Sequence, residues 1–217
     1  MSQINETVIG RISGRLNNLV FRKINGKIFV SIRPAQYKAS KSDAALESRS
    51  NFAVTVKLAK AVNSDALLKR IWTLSKAEGT NSFQKLIKSN IKLVKEGSLT
   101  TSNKITPPGY ALKITSAFYE NQIPNISFIC PAGTSLTFPV ILFVYLYFEK
   151  AGKSVANVAV RIEEQSEDGT YNIEIMPDTL ISDMLLKDPN PILFISVSGE
   201  TGFNKGVYWT STASLQI

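Results

Sequence analysis

Apolar positions recur at spacings of 3 and 4 between residues 42 and 97, and at spacing 2 or in unbroken runs on either side of that segment. The first rhythm is that of helices and the second that of strands. Ahead of the helical part, Leu19 to Ile24 and Lys27 to Arg33 are rich in β-branched and aromatic residues. Asn25-Gly26 between them suits the two left-handed positions of a type I′ turn, and Pro34 ends the second arm. This predicts a β-hairpin, with residues 1–9 as a tail and 10–18 as a lead-in. Its alternation is imperfect, so both faces are expected to meet something. A lone two-stranded hairpin is marginal in water.

Three helices are expected next. The first starts near Ser42 and runs to about Val62, with Leu46, Phe52, Val56, Ala59 and Val62 on its inner face. Asn63-Ser64-Asp65 caps a second, carrying Leu67, Leu68, Ile71 and Trp72. A third begins at Asn81 with Phe83, Leu86, Ile87 and Asn90, and Gly97 comes after it. Lys85, Lys88, Lys92 and Lys95 fall mostly on its other face.

The polar, proline-ended tract SLTTSNKITPP, residues 98–108, reads as a linker. Seven strands are expected beyond it, over Tyr110–Phe118, Asn125–Cys130, Leu136–Glu149, Val155–Ile162, Tyr171–Ile175, Ile192–Ser198 and Gly206–Leu215. Asp168-Gly169 is read as a hairpin turn into the fifth, and residues 177–191 hold a turn or two of helix. Phe138 to Phe148 is too short for a membrane helix and suits a buried strand. The expected fold is α+β: an N-terminal β-hairpin arm (1–41), a three-helix segment (42–97), a linker (98–108) and an antiparallel Ig-like β-sandwich (109–217). No Cys…Trp…Cys pattern supports an antibody-type domain.

Charge divides the chain. Residues 1–103 hold 18 Lys and Arg against 6 Asp and Glu, a net +12, and residues 104–217 hold 7 against 11, a net −4. The basic half suits a polyanion, or the acidic half of the same or of a neighbouring molecule. Arg11, Arg15, Phe21, Arg22, Lys23, Lys27, Phe29 and Arg33 concentrate positive charge and aromatic rings on the hairpin. They are the candidate contacts for assembly or for nucleic acid.

The 217 residues include no histidine, which excludes Ser-His-Asp and Cys-His catalysis and His-ligated zinc. The single Cys130 lies in an apolar run and reads as a buried thiol. Gly199 to Lys205, GETGFNK, departs from a phosphate loop at Asn204 and Gly206 and reads as a hairpin loop. Glu163, Glu164, Glu167 and Asp168 form an acidic cluster that reads as a solvated turn, with weak calcium binding or a carboxylate pair for general acid/base work the alternatives. No cofactor is expected. The first ten residues lack the basic and apolar regions of a secretory signal, so none is expected.

The run GRISGRLNNLVFRKINGK, the arm ending in IRP, the R-x-x-F element Arg49 to Phe52 and the motif from Asn81-Ser82-Phe83 through Asn90 carry a resemblance. They are similar to a loosely defined family of bacterial and phage-associated proteins, some of which continue into a β-sandwich. The resemblance implies no activity and no catalytic residues. Together these features lead to the expectation of a non-enzymatic structural protein that assembles with copies of itself through its N-terminal β arm, as a filament, tube, tail or shell subunit. A nucleic-acid-binding module is the alternative, and an adhesin-like binder of protein or glycan the third.

Overall fold

Among the described residues, two strands of the larger unit have no solvent-facing side, and the other layers of that unit are placed against them. The structure is a computed structural model and describes residues 2–4, 14–24, 26–33, 39–120, 123–129, 139–164, 170–200 and 206–216. The chain divides into two units, Met1–Lys41 and Ser42–Ile217.

The first unit is a four-stranded antiparallel sheet rather than a two-stranded hairpin. Its strands are β1 (Ser2–Ile4), β2 (Gly14–Leu16), β3 (Leu19–Ile24) and β4 (Lys27–Ile32), in the order β1-β4-β3-β2. The expected pairing of β3 with β4 is present, from Leu19 opposite Ile32 to Ile24 opposite Lys27. Asn25 lies outside the described residues; Gly26 has φ +82°, as the turn requires. The expected tail and lead-in supply the two extra strands. A second two-residue turn, Asn17-Asn18, joins β2 to β3, with Asn17 at φ 50°.

The second unit begins with three helices. They are α1 (Asp43–Ser64), α2 (Ala66–Leu74) and α3 (Ser82–Asn90), the last running into one 3-10 turn, Ile91–Leu93. Asp65 caps α2 by accepting from the amides of Leu67 and Leu68, and Asn81 caps α3 by accepting from Gln84. The inner face of α1 differs from expectation. Val54, Thr55, Leu58, Ala59 and Val62 are buried, whereas Leu46 and Phe52 are exposed.

The next strands are β5 (Lys113–Glu120), β6 (Ile123–Ile129), β7 (Val140–Phe148), β8 (Ser154–Ile162) and β9 (Thr170–Glu174). After α4 (Thr179–Lys187) come β10 (Ile192–Glu200), β11 (Val207–Trp209) and β12 (Ala213–Gln216). The expected last strand is therefore two, both paired with β10. They form two antiparallel sheets: β5-β6-β9, and β11-β10-β7-β8 with β12 also on β10. Asp168-Gly169 lies outside the described residues, but β8 pairs with β7 and β9 pairs with β6, so the expected hairpin between these two strands is not formed. A local turn signal does not say which neighbour a strand will find.

Strand alternation on β7 shows why its apolar run is unbroken. Leu142, Val144, Leu146 and Phe148 pack with Ile126, Phe128 and Tyr171 of the three-stranded sheet. Phe143, Tyr145 and Tyr147 pack with Leu58, Val62, Leu68, Ile71 and Trp72 of the helices. On β10, Leu193, Ile195 and Val197 join the core between the sheets, and Phe194 joins the core beneath the helices. The order is thus helices, five-stranded sheet, three-stranded sheet.

Residues 98–108, expected as a linker, belong to this unit's interior. Leu99, Asn103, Ile105 and Thr106 are buried. Asn90 at the end of α3 uses every valence of its amide to hold them. Its Nδ2 donates to the carbonyls of Leu86 and Lys104, each at 3.0 Å. Its Oδ1 accepts from Lys104 N at 2.7 Å and Asn103 Nδ2 at 3.1 Å. Trp72 Nε1 donates to Ile105 O at 2.8 Å, and Thr212 Oγ1 accepts from the amides of Ile105 and Thr106.

Removing this amide leaves buried partners unsatisfied. Asn90→Ala should lower stability by about 1–3 kcal/mol, read as a lower midpoint in urea at unchanged slope. A midpoint within error of the parent would mean that these bonds do not hold the tract.

Candidate assembly surface

In a strand, alternate residues share a face and directly paired residues lie side by side. The register of the N-terminal sheet therefore sorts its side chains into two sets. One face carries three rows: Leu16, Leu19 and Ile32; Phe21 and Val30; then Ile28 with Lys23 at the end. The other carries Val20, Arg22, Ile24, Lys27, Phe29 and Ser31. One face is apolar but for Lys23, and the other sets the cations Arg22 and Lys27 among apolar side chains. Among the described residues of this unit no side chain is buried, and Leu16 and Ile32 are 65% and 77% exposed.

The candidate contacts read from the sequence are separated by this register. Phe21 and Lys23 lie on the apolar face, and Arg22, Lys27 and Phe29 on the other. Arg15 is paired with Val20, Arg33 comes just after β4 and its amide donates to Asn18 O at 2.8 Å, and Arg11 lies outside the described residues. The interleaving of bases and aromatics along the chain thus becomes segregation in space.

The second unit places its own surface groups. Lys85 Nζ donates to the carbonyls of Thr73 and Ser75, closing the C-terminal end of α2. Lys88 is 2.5 Å from Glu78 and holds that carboxyl below the usual range. Arg70 pairs with Glu200 at 2.6 Å. In the R-x-x-F element, Arg49 Nε donates to Ala45 O one turn back. Several of the helical cations are thus engaged within their own unit.

Trp209 lies between two open apolar hollows that the sequence reading missed. One, of about 500 Å³, is lined by Leu74, Ala77, Pro107 and Pro108, and the other, of about 370 Å³, by Gly109, Tyr110 and Tyr208. Gly109 is what lets the indole lie so close, since a Cβ there would stand 2.6 Å from its ring. Trp209 Nε1 donates to Pro108 O at 3.3 Å. The hollows suit apolar side chains.

β10 and β11 pair antiparallel across Gly199 to Val207, and the chain beyond Gly206 is a strand, so the helix that a phosphate loop requires is missing. Glu163 of the acidic cluster pairs with Arg161 at 2.8 Å, while Glu167, Asp168 and Cys130 lie outside the described residues. Among the described residues no group of three metal-ligating side chains is present, and no helix is long and apolar enough to cross a membrane. The chain matches no family model, no curated protein and no solved structure.

Burial raises the pKa of the Tyr145 and Tyr147 hydroxyls, because a phenolate there would lose its water; at Tyr145 the Asp65 charge adds to it. A folded pKa above the unfolded one contributes stability that is complete below about pH 10 and lost as pH rises beyond it. In a phenolate-absorbance titration, Tyr145 and Tyr147, identified by replacement with Phe, should ionise only as the protein unfolds. Their ionisation in the folded protein would contradict their burial.

Proposed function

We propose that this chain is a non-enzymatic structural subunit that assembles with copies of itself through its N-terminal sheet. The observation that carries this reading is the contiguous apolar face of Leu16, Leu19, Phe21, Ile28, Val30 and Ile32 on a sheet with no buried side chain among its described residues. Such a face is unfavourable in water and is a mark of an interaction surface. Filament, tube, tail or shell geometries all fit it.

The finer description of the second unit as an Ig-like sandwich belongs to the same proposal. With β11 and β12 counted as one split last strand and the D position left empty, β5, β6 and β9 stand as A-B-E, and the split strand, β10 and β7 as G-F-C, with β8 added beside C. That grouping, antiparallel throughout with a shared core, supports it. The helices covering the outer face of the larger sheet are an addition to that plan.

Deleting residues 1–33 should convert an assembling protein into a folded monomer, seen as loss of particles in negative-stain microscopy and a monomeric mass by light scattering. Persistence of the same assemblies would rule the reading out.

A second reading rests on the cationic face of the same sheet, where Arg22 lies opposite Phe29 and Lys27 opposite Ile24. A nucleic-acid contact there should weaken steeply with salt. Arg22→Ala/Lys27→Ala should weaken binding to single-stranded DNA and flatten its salt slope. Salt-independent or absent binding would remove this alternative.

A further inference from the structure

The helix α4 is amphipathic in an incomplete way. Asp178 caps it by accepting from Ile181 N at 2.8 Å, and Ile181 and Leu185 are buried in the core between the two sheets. At 3.6 residues per turn, Leu180, Asp183 and Leu186 then share an outward arc of about 120°. Leu180 is 58% exposed, Leu186 67%, and Met176, just before the helix, 72%. Three large apolar side chains on one short stretch form a surface that a lone monomer has no reason to expose.

Charge says what should cover it. Residues 161–188 hold eight Asp and Glu against Arg161, the partner of Glu163, and Lys187, a net −6. Residues 1–41 hold eight Lys and Arg against Glu6 alone, a net +7. Size agrees as well. A nine-residue helix is about 13 Å long, and four strands about 4.8 Å apart span about 14 Å. Two N-terminal sheets stacked on each other would instead bring +7 against +7.

We propose that the outward face of α4, with Met176, is the docking surface for the N-terminal sheet of a second copy. The sheet's apolar rows cover Leu180, Leu186 and Met176, and Lys23, the cation that the register places on that face among the described residues, meets Asp183. This rests on the self-assembly reading and names the surface it uses. The two partners contribute different patches, so the contact is heterologous and can repeat from copy to copy.

The test uses full-length chains in sedimentation velocity. One variant alters only the helix (Leu180→Ser/Leu186→Ser) and one only the sheet (Leu19→Ser/Ile32→Ser). Each should be a monomer alone, and an equimolar mixture should give a 1:1 dimer that grows no further. Asp183→Lys should weaken assembly at least about tenfold, and Lys23→Glu in the same chain should recover part of it. Circular dichroism matching the parent excludes unfolding as the cause. Normal assembly by the helix variant would overturn the docking surface and leave the self-assembly reading standing. A mixture that stays monomeric, as when the sheet folds back on its own chain, would overturn it too. An unaltered chain that is monomeric at every concentration would overturn the self-assembly reading, and this proposal with it.

Discussion

The double burial of β7 is the constraint on which the second unit depends. A strand in the middle of a sheet can leave one face wet, and β7 leaves neither. Its odd-numbered side chains Phe143, Tyr145 and Tyr147 require a layer of helices, and its even-numbered ones from Leu142 to Phe148 require a second sheet. The three helices before it and the strands on both sides of it in the sequence are recruited by that demand. β10 lies beside β7 along eight paired positions and repeats the pattern. Neither core could be removed without exposing one side of both strands.

The tract between helices and strands obeys the same geometry. Layers on opposite faces of a sheet need a chain segment that passes from one to the other. Here that segment is itself packed, with Asn103 Nδ2 donating to Asn90 Oδ1 in the interior. Asn103 Nδ2 also donates to Asn90 O, and its Oδ1 accepts from Thr100 N. Polar side chains that satisfy backbone groups this completely can be buried at little cost.

Much of this was legible in the sequence, and the remainder was hidden for definite physical causes. Helix positions came from apolar spacing and from the caps at Asp65 and Asn81. Most strands came from β-branched runs. A strand's partner is not a local property, so the change of sheet between β8 and β9 was hidden behind an ordinary turn dipeptide. Residues 98–108 read as solvated because composition does not distinguish asparagines bonded to water from asparagines bonded to protein. On α1, Phe52 looked internal by spacing, yet the tertiary surroundings buried Val54 and Leu58 instead. For the candidate surface, eight residues could be named from the sequence, but the division of those described between two faces could not, because that depends on register. Leu180 and Leu186 were placed in a helical turn, but their exposure depends on which face meets the core.

The cationic face of the N-terminal sheet owes its charge to arginine and lysine alone, and the carboxylates elsewhere have no imidazole beside them, since the chain has no histidine. No side chain of the kind that ordinarily titrates near neutrality contributes to this charge pattern. Acidification has no handle on it. Ionic strength does, because mobile ions screen exposed charges over about 8 Å at physiological salt. A contact built on this face would respond to the saltiness of its surroundings and to how many copies are nearby, and be indifferent to a passage through a mildly acidic compartment.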